Sequence, residues 1–459
     1  MSTTPSIDLV ISRMSAAGSK PAMFWKGEEI TYSDFMNMVR IWDKRLHEDN
    51  VKAGTVCSYI GDYTPEICAF MFALLKIKAI LVPLTTEVVS DIDSFLDIAG
   101  AQLFYRFDVD KDIIVESRKK IIEQELIKEF RKQNRPGLVV FTSGSTGKPK
   151  AILQDCEQVM KKFVDIRSSW RTVLFLLMDH FGGFNTFLST FAYLGVAVCP
   201  EKRTPEAVAK VIEESRADLL PTTPTFLNLM IASNVHKSYD LSSIKLITYG
   251  TELMSKTTLE KVSAIFPLSK LKQTYGLSEL GVLRSKSESE DSVWVKVGGA
   301  GFETKVIDGI LWIRSEANMI GYLNAPSPFD DEGWMCTGDQ VEVQGDYIRF
   351  LGRKSEIINV GGKKVFPIEV ETVLLEDDNI HSATVYAVSH PIMGQVPNAR
   401  ISLNTDEKKE ELVERLRKYC NERLAKYKVP VRFYVVKIEE DSNMRFKKVR
   451  NIANTNLMN

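Results

Sequence analysis

Apolar runs of strand length alternate with segments of helical spacing along the first half of the chain, and this alternation points to an α/β fold. TVCSYIG reads as a buried strand, PEICAFMFALLKIKA as a helix opened by Pro65, and AILVPL as a second strand. Strand, helix and strand in that order imply a parallel crossover. Ahead of them, ITYSDFMNMVRIWDKRLHE starts on the turn-forming pair Ser33–Asp34 and runs on at helical spacing. Phe35, Met38, Ile41 and Leu46 share one side of that helix. The rhythm returns in LVVFTSGSTGKPKAIL (strand, loop, strand) and in TPEAVAKVIEESRA, a helix capped by Thr204 before Pro205. ADLLPTTPTFLNLMIAS adds strand, Pro-rich turn and helix, and IKLITYGTE is a strand running into a glycine turn.

From about Ser292 the texture changes to short strands separated by glycine turns, as expected for a small antiparallel β unit. It changes again after Arg353. KSEIINVGGKKVFPIEVETVLLE predicts a strand, a Gly-Gly turn and a helix after Pro367. Two strands follow, then a charged amphipathic helix that stops before Pro430, and a last strand in VRFYVVKI. This final stretch is long enough to be a domain. The expected organisation is a large N-terminal domain over 1–351, of parallel-rich sheets with helices plus the small β unit. A small, mobile α+β domain over 352–459 completes it.

Composition narrows the function classes. Among 459 residues, 59 Lys+Arg and 60 Asp+Glu leave a net charge of −1. A polybasic nucleic-acid binder and an acidic tail protein are excluded as whole-chain identities. The longest apolar stretch, AFMFALLKIKAILVPL, is broken by Lys76 and Lys78 and is too short for a bilayer. The start, MSTTPSIDLVISRM, lacks the charged and apolar regions of a secretory signal. The six cysteines are scattered without a CxxC pair, which speaks against a zinc site or a disulfide framework. A reduced, cytoplasmic chain is expected, with no nucleic-acid partner and no integral membrane association.

The chemistry-bearing stretch is FTSGSTGKPK, fed by the apolar strand LVVF. Gly144 and Gly147 permit close backbone approach. Thr142, Ser143, Ser145 and Thr146 supply hydroxyls, and Lys148 and Lys150 supply positive charge. Backbone N–H groups and hydroxyls donating while lysines neutralise is a combination suited to a polyphosphate. It is neither a Walker loop nor GxGxxG, because two residues separate the glycines and Pro149 follows Lys148.

The whole string resembles the phosphate-binding loop of the adenylate-forming superfamily, which includes acyl-CoA synthetases, aryl-CoA ligases, luciferases and adenylation domains. Further boxes resemble that family in the same order along the chain. TYGLSE (Thr274, Tyr275, Gly276, Ser278, Glu279) is similar to its YGxTE box. The resemblance implies that Tyr275 packs on adenine, Ser278 meets phosphate and Glu279 holds Mg²⁺. An aromatic ring for a base and a hard carboxylate oxygen for Mg²⁺ fit those assignments. GWMCTGD and the following FLGR resemble the family's ribose-binding boxes, which implies that Asp339 and Arg353 approach the ribose. TYGTE places Gly250, Thr251 and Glu252 along the wall of adenine and acyl group by the same resemblance.

LLMDHFGGFNTF resembles the family's helix start beside the substrate carboxylate, with His180 where acyl and aryl ligases often carry histidine. Amino-acid-activating relatives follow an aromatic there with an aspartate that pairs the α-ammonium. This chain has Phe181 instead, and a buried ammonium needs an opposite charge. Asp179 precedes His180, about 100° out of phase on a helix. In the C-terminal stretch, Gly361 and Gly362 resemble the turn that faces the pantetheine arm after domain rotation. DSNMRFKKVRN resembles the segment of the catalytic lysine. Lys447 takes that role, Lys448 is the neighbouring alternative, and Arg450 matches the trailing arginine. Asn443 and Phe446 depart from the pattern, as does Ser355 at the hinge.

The resemblance implies an ATP- and Mg²⁺-dependent ligase. It joins a small carboxylic acid to AMP, with release of pyrophosphate, and then passes the acyl group to the thiol of CoA or a phosphopantetheine carrier protein. The alternatives are a stand-alone amino-acid activator and a binding relative impaired in catalysis.

Overall fold

The computed structural model describes residues 6–85, 91–107, 113–119, 121–143, 149–289, 292–299 and 301–436. Among them the chain builds three seven-stranded sheets and one of five strands. One sheet runs Lys270–Gln273, Leu246–Tyr249, Leu219–Thr222, Arg171–Val173, Val196–Val198, Pro21–Trp25 and Glu28–Thr31. Every pairing in it is parallel except the last. A second sheet is parallel at its centre, through Leu103–Arg106, Val56–Ile60, Ile80–Leu84 and Gly137–Ser143. Antiparallel strands border it on both sides. The third, from Tyr275–Leu277 to Tyr347–Arg353, is antiparallel throughout.

Helices fill the space between the two parallel-rich sheets. Pro65–Ile77 is buried along almost its whole length, from Ile67 to Leu75. A helix buried on all sides needs apolar residues all round, and PEICAFMFALLKI supplies them. Its Phe72 meets Phe187 at 5.0 Å and Phe191 at 5.2 Å, both from the helix Phe181–Ala192. Phe191 in turn stacks on Phe35 at 4.8 Å. One continuous core thus joins both sheets through aromatic side chains.

The α/β architecture expected from the alternation is present, with a large N-terminal part and a smaller C-terminal one. Four local expectations change. The helix Tyr32–Glu48 starts earlier than Ser33–Asp34, with Thr31 as its cap accepting from the Asp34 N–H at 3.1 Å. Its buried stripe is Tyr32, Phe35, Met36, Val39, Trp42 and Leu46, while Ile41 is 60% exposed. Trp42 wins the inner position by packing on Phe70 at 4.8 Å. The antiparallel unit starts at Tyr275, ahead of Ser292. The charged helix is Lys409–Arg423 and ends at Leu424, whose backbone is extended, before a short turn over Lys426–Lys428.

The C-terminal sheet is built from Ile358–Val360, Lys363–Val365, Ile380–His390, Gly394–Leu403 and Phe433–Val435. It packs with Pro367–Leu375 and Lys409–Arg423 around its own apolar core. A hydrogen bond from Lys261 Nζ to the Leu375 carbonyl (3.2 Å) ties it to the N-terminal part. No helix among the described residues is long and apolar enough to cross a membrane.

Candidate active site

The loop expected to hold phosphate spans two strands in antiparallel register. Thr142 lies opposite Lys150, and Ser143 opposite Pro149. Asn324 clamps the far flank, donating to the Pro149 carbonyl and accepting from the Ala151 N–H, both at 2.9 Å. Gly144, Ser145, Thr146, Gly147 and Lys148 lie outside the described residues, as do Lys447, Lys448 and Arg450.

Tyr275, Asp339 and Arg353 come together. The Tyr275 hydroxyl donates to Asp339 Oδ2 at 2.6 Å. Arg353 Nε lies 3.5 Å from Asp339 Oδ1, across adjacent strands where the two residues pair in register. The Thr337 hydroxyl accepts from the Asp339 N–H at 3.1 Å. Burial raises the Asp339 carboxyl above the usual carboxylate range, against the opposing pull of Arg353 and the Tyr275 hydroxyl. Burial, with Asp339 beside it, likewise pushes the Tyr275 phenol well up. Phe350 covers one face of the Tyr275 ring, stacked at 4.6 Å and 19°. A flat base that stacks on Tyr275 must therefore use the other face.

A second cluster forms around Glu279. The Tyr322 hydroxyl donates to Glu279 Oε1 at 2.7 Å, and Lys150 Nζ sits 5.0 Å from the centre of the Tyr322 ring. Lys150 leaves the phosphate loop, Glu279 ends the TYGLSE turn, and Tyr322 lies on the edge strand Gly321–Tyr322. Gln154 Nε2 donates to the Ser278 carbonyl at 2.5 Å, fixing the turn against the loop strand. Among the described residues no group of three or more His, Cys, Asp or Glu side chains forms a metal cage. One carboxylate suits Mg²⁺ that arrives on phosphates and keeps its waters, since this ion rarely uses an all-protein cage.

Thr274 joins these clusters to the strand ending at Tyr249. Its N–H and hydroxyl both donate to the Tyr249 carbonyl, at 2.7 and 3.1 Å. Gly250 is obligatory there, because a Cβ would stand 2.5 Å from Thr274 Oγ1 and 2.8 Å from the Thr274 carbonyl oxygen. Gly276 is constrained in the same way, with a Cβ falling 2.8 Å from the Gly281 carbonyl oxygen. Thr251 holds φ at 69°, a left-handed conformation that a β-branched residue adopts only under strain. Glu252 Oε2 accepts from the Thr225 N–H (3.2 Å) and hydroxyl (2.6 Å), at the start of the helix Pro224–Ala232. Its carboxylate thus meets the positive end of a helix.

His180 stands in extended backbone immediately before the helix Phe181–Ala192. The Phe181 ring lies 3.8 Å from where a Cβ of Gly281 would sit, two residues past Glu279. The helix start therefore borders the TYGLSE turn. Asp179 is buried and accepts from the Thr85 hydroxyl at 3.0 Å. Gly361 and Gly362 form the turn between Ile358–Val360 and Lys363–Val365, with φ of 53° and 82°. The Gly361 N–H donates to the Met393 carbonyl at 2.9 Å. This turn belongs to the C-terminal sheet and not to the clusters around Tyr275 and Glu279.

Tyr322, Phe350, Asn324 and Gln154 were not singled out by sequence. Tyr322 and Asn324 stand close together in GYLN, and Phe350 stands three residues before Arg353. Their contacts cross between distant segments, which no local pattern encodes.

Known proteins share the family and the fold of this chain. The chain is 25% identical to 2-succinylbenzoate–CoA ligase of Bacillus pumilus, over 93% of each chain. It is 28% identical to 4-coumarate–CoA ligase-like 2 of Arabidopsis thaliana, over 60% of this chain and 54% of that protein. Among solved structures, o-succinylbenzoate CoA synthetase of Bacillus subtilis, with its acyl-adenylate intermediate, shares the fold. The TM-score is 0.76 at 20% identity, over 99% of this chain and 98% of that one. An anthranilate CoA ligase bound to anthranoyl-AMP superposes with a TM-score of 0.77 at 19% identity, over 94% and 93%. Residues 12–323 match the family described as AMP-binding enzyme, and residues 369–443 match its C-terminal domain. The chain therefore belongs to the AMP-binding, adenylate-forming enzymes.

Proposed function

We propose that the protein activates a carboxylic acid as its acyl-adenylate, releasing pyrophosphate, and transfers the acyl group to the thiol of CoA. One observation carries this reading: the single stretch Thr274–Glu279 reaches Asp339 through Tyr275 and lies beside Lys150 through Glu279 and Tyr322. A ribose-binding carboxylate and a phosphate-binding lysine at opposite ends of one turn suit a nucleoside triphosphate. Asp339 accepts hydrogen bonds from ribose hydroxyls, and Arg353 holds its charge in place. Thr142, Ser143 and Lys150, with the hydroxyls and Lys148 of the loop, bind phosphate oxygens. Glu279 is the residue that would hold Mg²⁺, which would supply Lewis-acid polarisation there. Gly250 and Thr251 line the approach between nucleotide and acid, and His180 meets the acid's carboxylate. Lys447 neutralises charge as pyrophosphate leaves. The domain division at 351/352 and the Gly361–Gly362 turn belong to the second half-reaction. A carrier-protein phosphopantetheine is the alternative acceptor.

The acid lacks an α-ammonium group. Phe181 offers no charge, and Asp179 is held by Thr85 at the end of the strand Ile80–Leu84. The test is pyrophosphate release with each amino acid paired against its deaminated analogue. The deaminated acids are expected to turn over faster. Amino acids turning over faster, with Asp179→Asn removing that preference, would support the amino-acid activator instead.

Tyr322 gives a smaller effect. Tyr322→Phe removes the donor that orients Glu279, a charge-assisted bond worth about 1–2 kcal/mol. The Mg²⁺ concentration for half-maximal pyrophosphate release is expected to rise roughly 5- to 20-fold. An unchanged Mg²⁺ titration would remove Tyr322 from the metal-binding arrangement.

A further inference from the structure

The strand Arg171–Val173 reaches the helix Phe181–Ala192 through residues 174–180, which form neither helix nor strand. Such a stretch has no ladder to fix it, so its position depends on individual contacts. The second parallel-rich sheet supplies two of them. Val56–Ile60 and Ile80–Leu84 are parallel neighbours, and each sends a side chain from just past its carboxyl end. Thr85 donates to Asp179 at 3.0 Å, one residue before His180. Asp62 acts at the other end of the stretch, through Arg203. The Arg203 guanidinium forks onto the Asp62 carboxylate, with Nη2 2.7 Å from Oδ1, and its Nε donates to the Phe175 carbonyl at 2.6 Å.

Arg203 itself arrives from the first sheet, just past Val196–Val198, the parallel neighbour of Arg171–Val173. One guanidinium thus joins the carboxyl ends of three strands from two sheets, and the carboxyl end of a parallel sheet is where ligands bind. The Arg203 side chain is 12% exposed and that of Asp62 45%. Asp62 is wet enough to stand alone, so what the pair fixes is the arginine, and through it the Phe175 carbonyl. Movement at Phe175 would not stay there. Its ring lies 4.1 Å from that of Phe226, next to Thr225, which holds Glu252. Further on, the His180 N–H donates to the Leu177 carbonyl at 3.3 Å. The helix start rests on the same carbonyl, since a Cβ on Gly183 would fall 2.0 Å from its oxygen. Shifting Leu177 therefore shifts His180 and the first helical turn together.

Resting on the acid-activation reading above, in which His180 meets the acid's carboxylate, we infer that Arg203 is a positioning residue for the first half-reaction. Braced by Asp62, it holds the Phe175 end of the stretch while Thr85 holds the Asp179 end, and the two together fix His180 against the incoming acid. Lysine is no equal substitute. An ammonium lacks the planar fork that meets a carboxylate with two N–H groups and a carbonyl with a third. A displacement of about 1 Å at a positioning element costs on the order of a hundredfold in rate.

The test uses the full chain well below its melting temperature. The probes are propanoate, octanoate, benzoate and cinnamate, and the variants are followed on the acid with the highest wild-type kcat/KM for pyrophosphate release. Arg203→Met is expected to lower kcat/KM for the acid about 10- to 100-fold. Half-saturating ATP should stay within about threefold, because Tyr275, Asp339 and Arg353 hold one another on other strands. Asp62→Asn keeps the arginine's bond to Phe175 and loses about threefold. Arg203→Lys falls between Arg203→Met and wild type. Hydrogen exchange on the free proteins reads the pin without any substrate. Amides of 176–180 should exchange roughly tenfold faster in Arg203→Met, while those of 185–192 keep wild-type protection. If Arg203→Met does not fold, Arg203→Lys and Asp62→Asn carry both measurements. Unchanged exchange at 176–180, or faster exchange there with unchanged acid kinetics, overturns the inference. Equal losses in acid and ATP dependence, with faster exchange throughout the first sheet, overturn it too and leave Arg203 a residue of stability alone. If wild type releases no pyrophosphate with any of the four acids, the activation reading fails and the role in acid turnover with it, while local exchange still decides whether Arg203 pins the stretch.

Discussion

Lys447→Ala is expected to lower pyrophosphate release from ATP and acid by about 10²- to 10³-fold, the usual cost of losing one group that stabilises transition-state charge. Thioester formation from supplied acyl-adenylate and CoA should stay within a few-fold of wild type. The split arises because Lys447 is assigned to the carboxylate, the α-phosphate and the departing pyrophosphate, which come together only in the first half-reaction. In the second half-reaction the thiol attacks a carbonyl, pyrophosphate is already gone, and the rotated C-terminal domain has withdrawn Lys447. Measuring both half-reactions on one preparation separates this role from general damage. Equal losses in the two, or a selective defect in Lys448→Ala instead, would falsify the assignment.

Asp339→Asn should separate binding from stability. The ATP concentration for half-saturation is expected to rise about 10- to 100-fold, as expected for losing hydrogen bonds from a charged acceptor. The melting temperature at pH 7 should not fall. Burial raises the Asp339 carboxyl in the folded chain, so the folded state holds that proton more tightly than the unfolded one. Its contribution to stability is therefore present at low pH and lost as pH climbs through the folded value. At pH 7 the buried charge is a cost, and asparagine removes it while still accepting from the Tyr275 hydroxyl. The Arg353 pair offsets little, because that side chain is 54% exposed. Melting curves across pH should show the variant's advantage shrinking as pH falls toward the ordinary carboxylate range. A variant markedly less stable than wild type at pH 7, with unchanged ATP dependence, would make Asp339 a structural residue.

What the sequence revealed depended on the range of the interaction. Local chemistry was legible. Thr204 caps its helix as read, accepting from the Ala207 N–H at 3.2 Å, and Pro65 opens the buried helix behind Thr64. The TYGLSE box, Asp339 and Arg353 were picked out by their resemblance to the family's boxes. Their meeting point could not be read in that way. Tyr275 reaches Asp339 across 64 positions, and Tyr322 reaches Glu279 across 43. The misplaced stripe on Tyr32–Glu48 has a similar origin. Ile41 and Trp42 are neighbours on the helix surface, and only tertiary packing against Phe70 decides which turns inward. Glu252 was read as part of the ligand wall by resemblance, yet its bonds to Thr225 depend on a helix that starts 28 positions earlier, at Pro224.

The helix Pro65–Ile77, covered on both sides, has a consequence for biosynthesis. Part of its cover is not made when it leaves the ribosome. Phe187 and Phe191 come later, and Pro21–Trp25 must wait for Val196–Val198 before it has its parallel neighbour. At about 5–20 residues per second, the interval is on the order of ten seconds. For that time the nascent chain carries a helix with no polar face. Trigger-type holdases that shield apolar segments should therefore bind ribosome-bound chains ending between Ile77 and Phe191 and release those extending past Val198. Slowing translation within that window should lower the yield of folded protein more than slowing it afterwards.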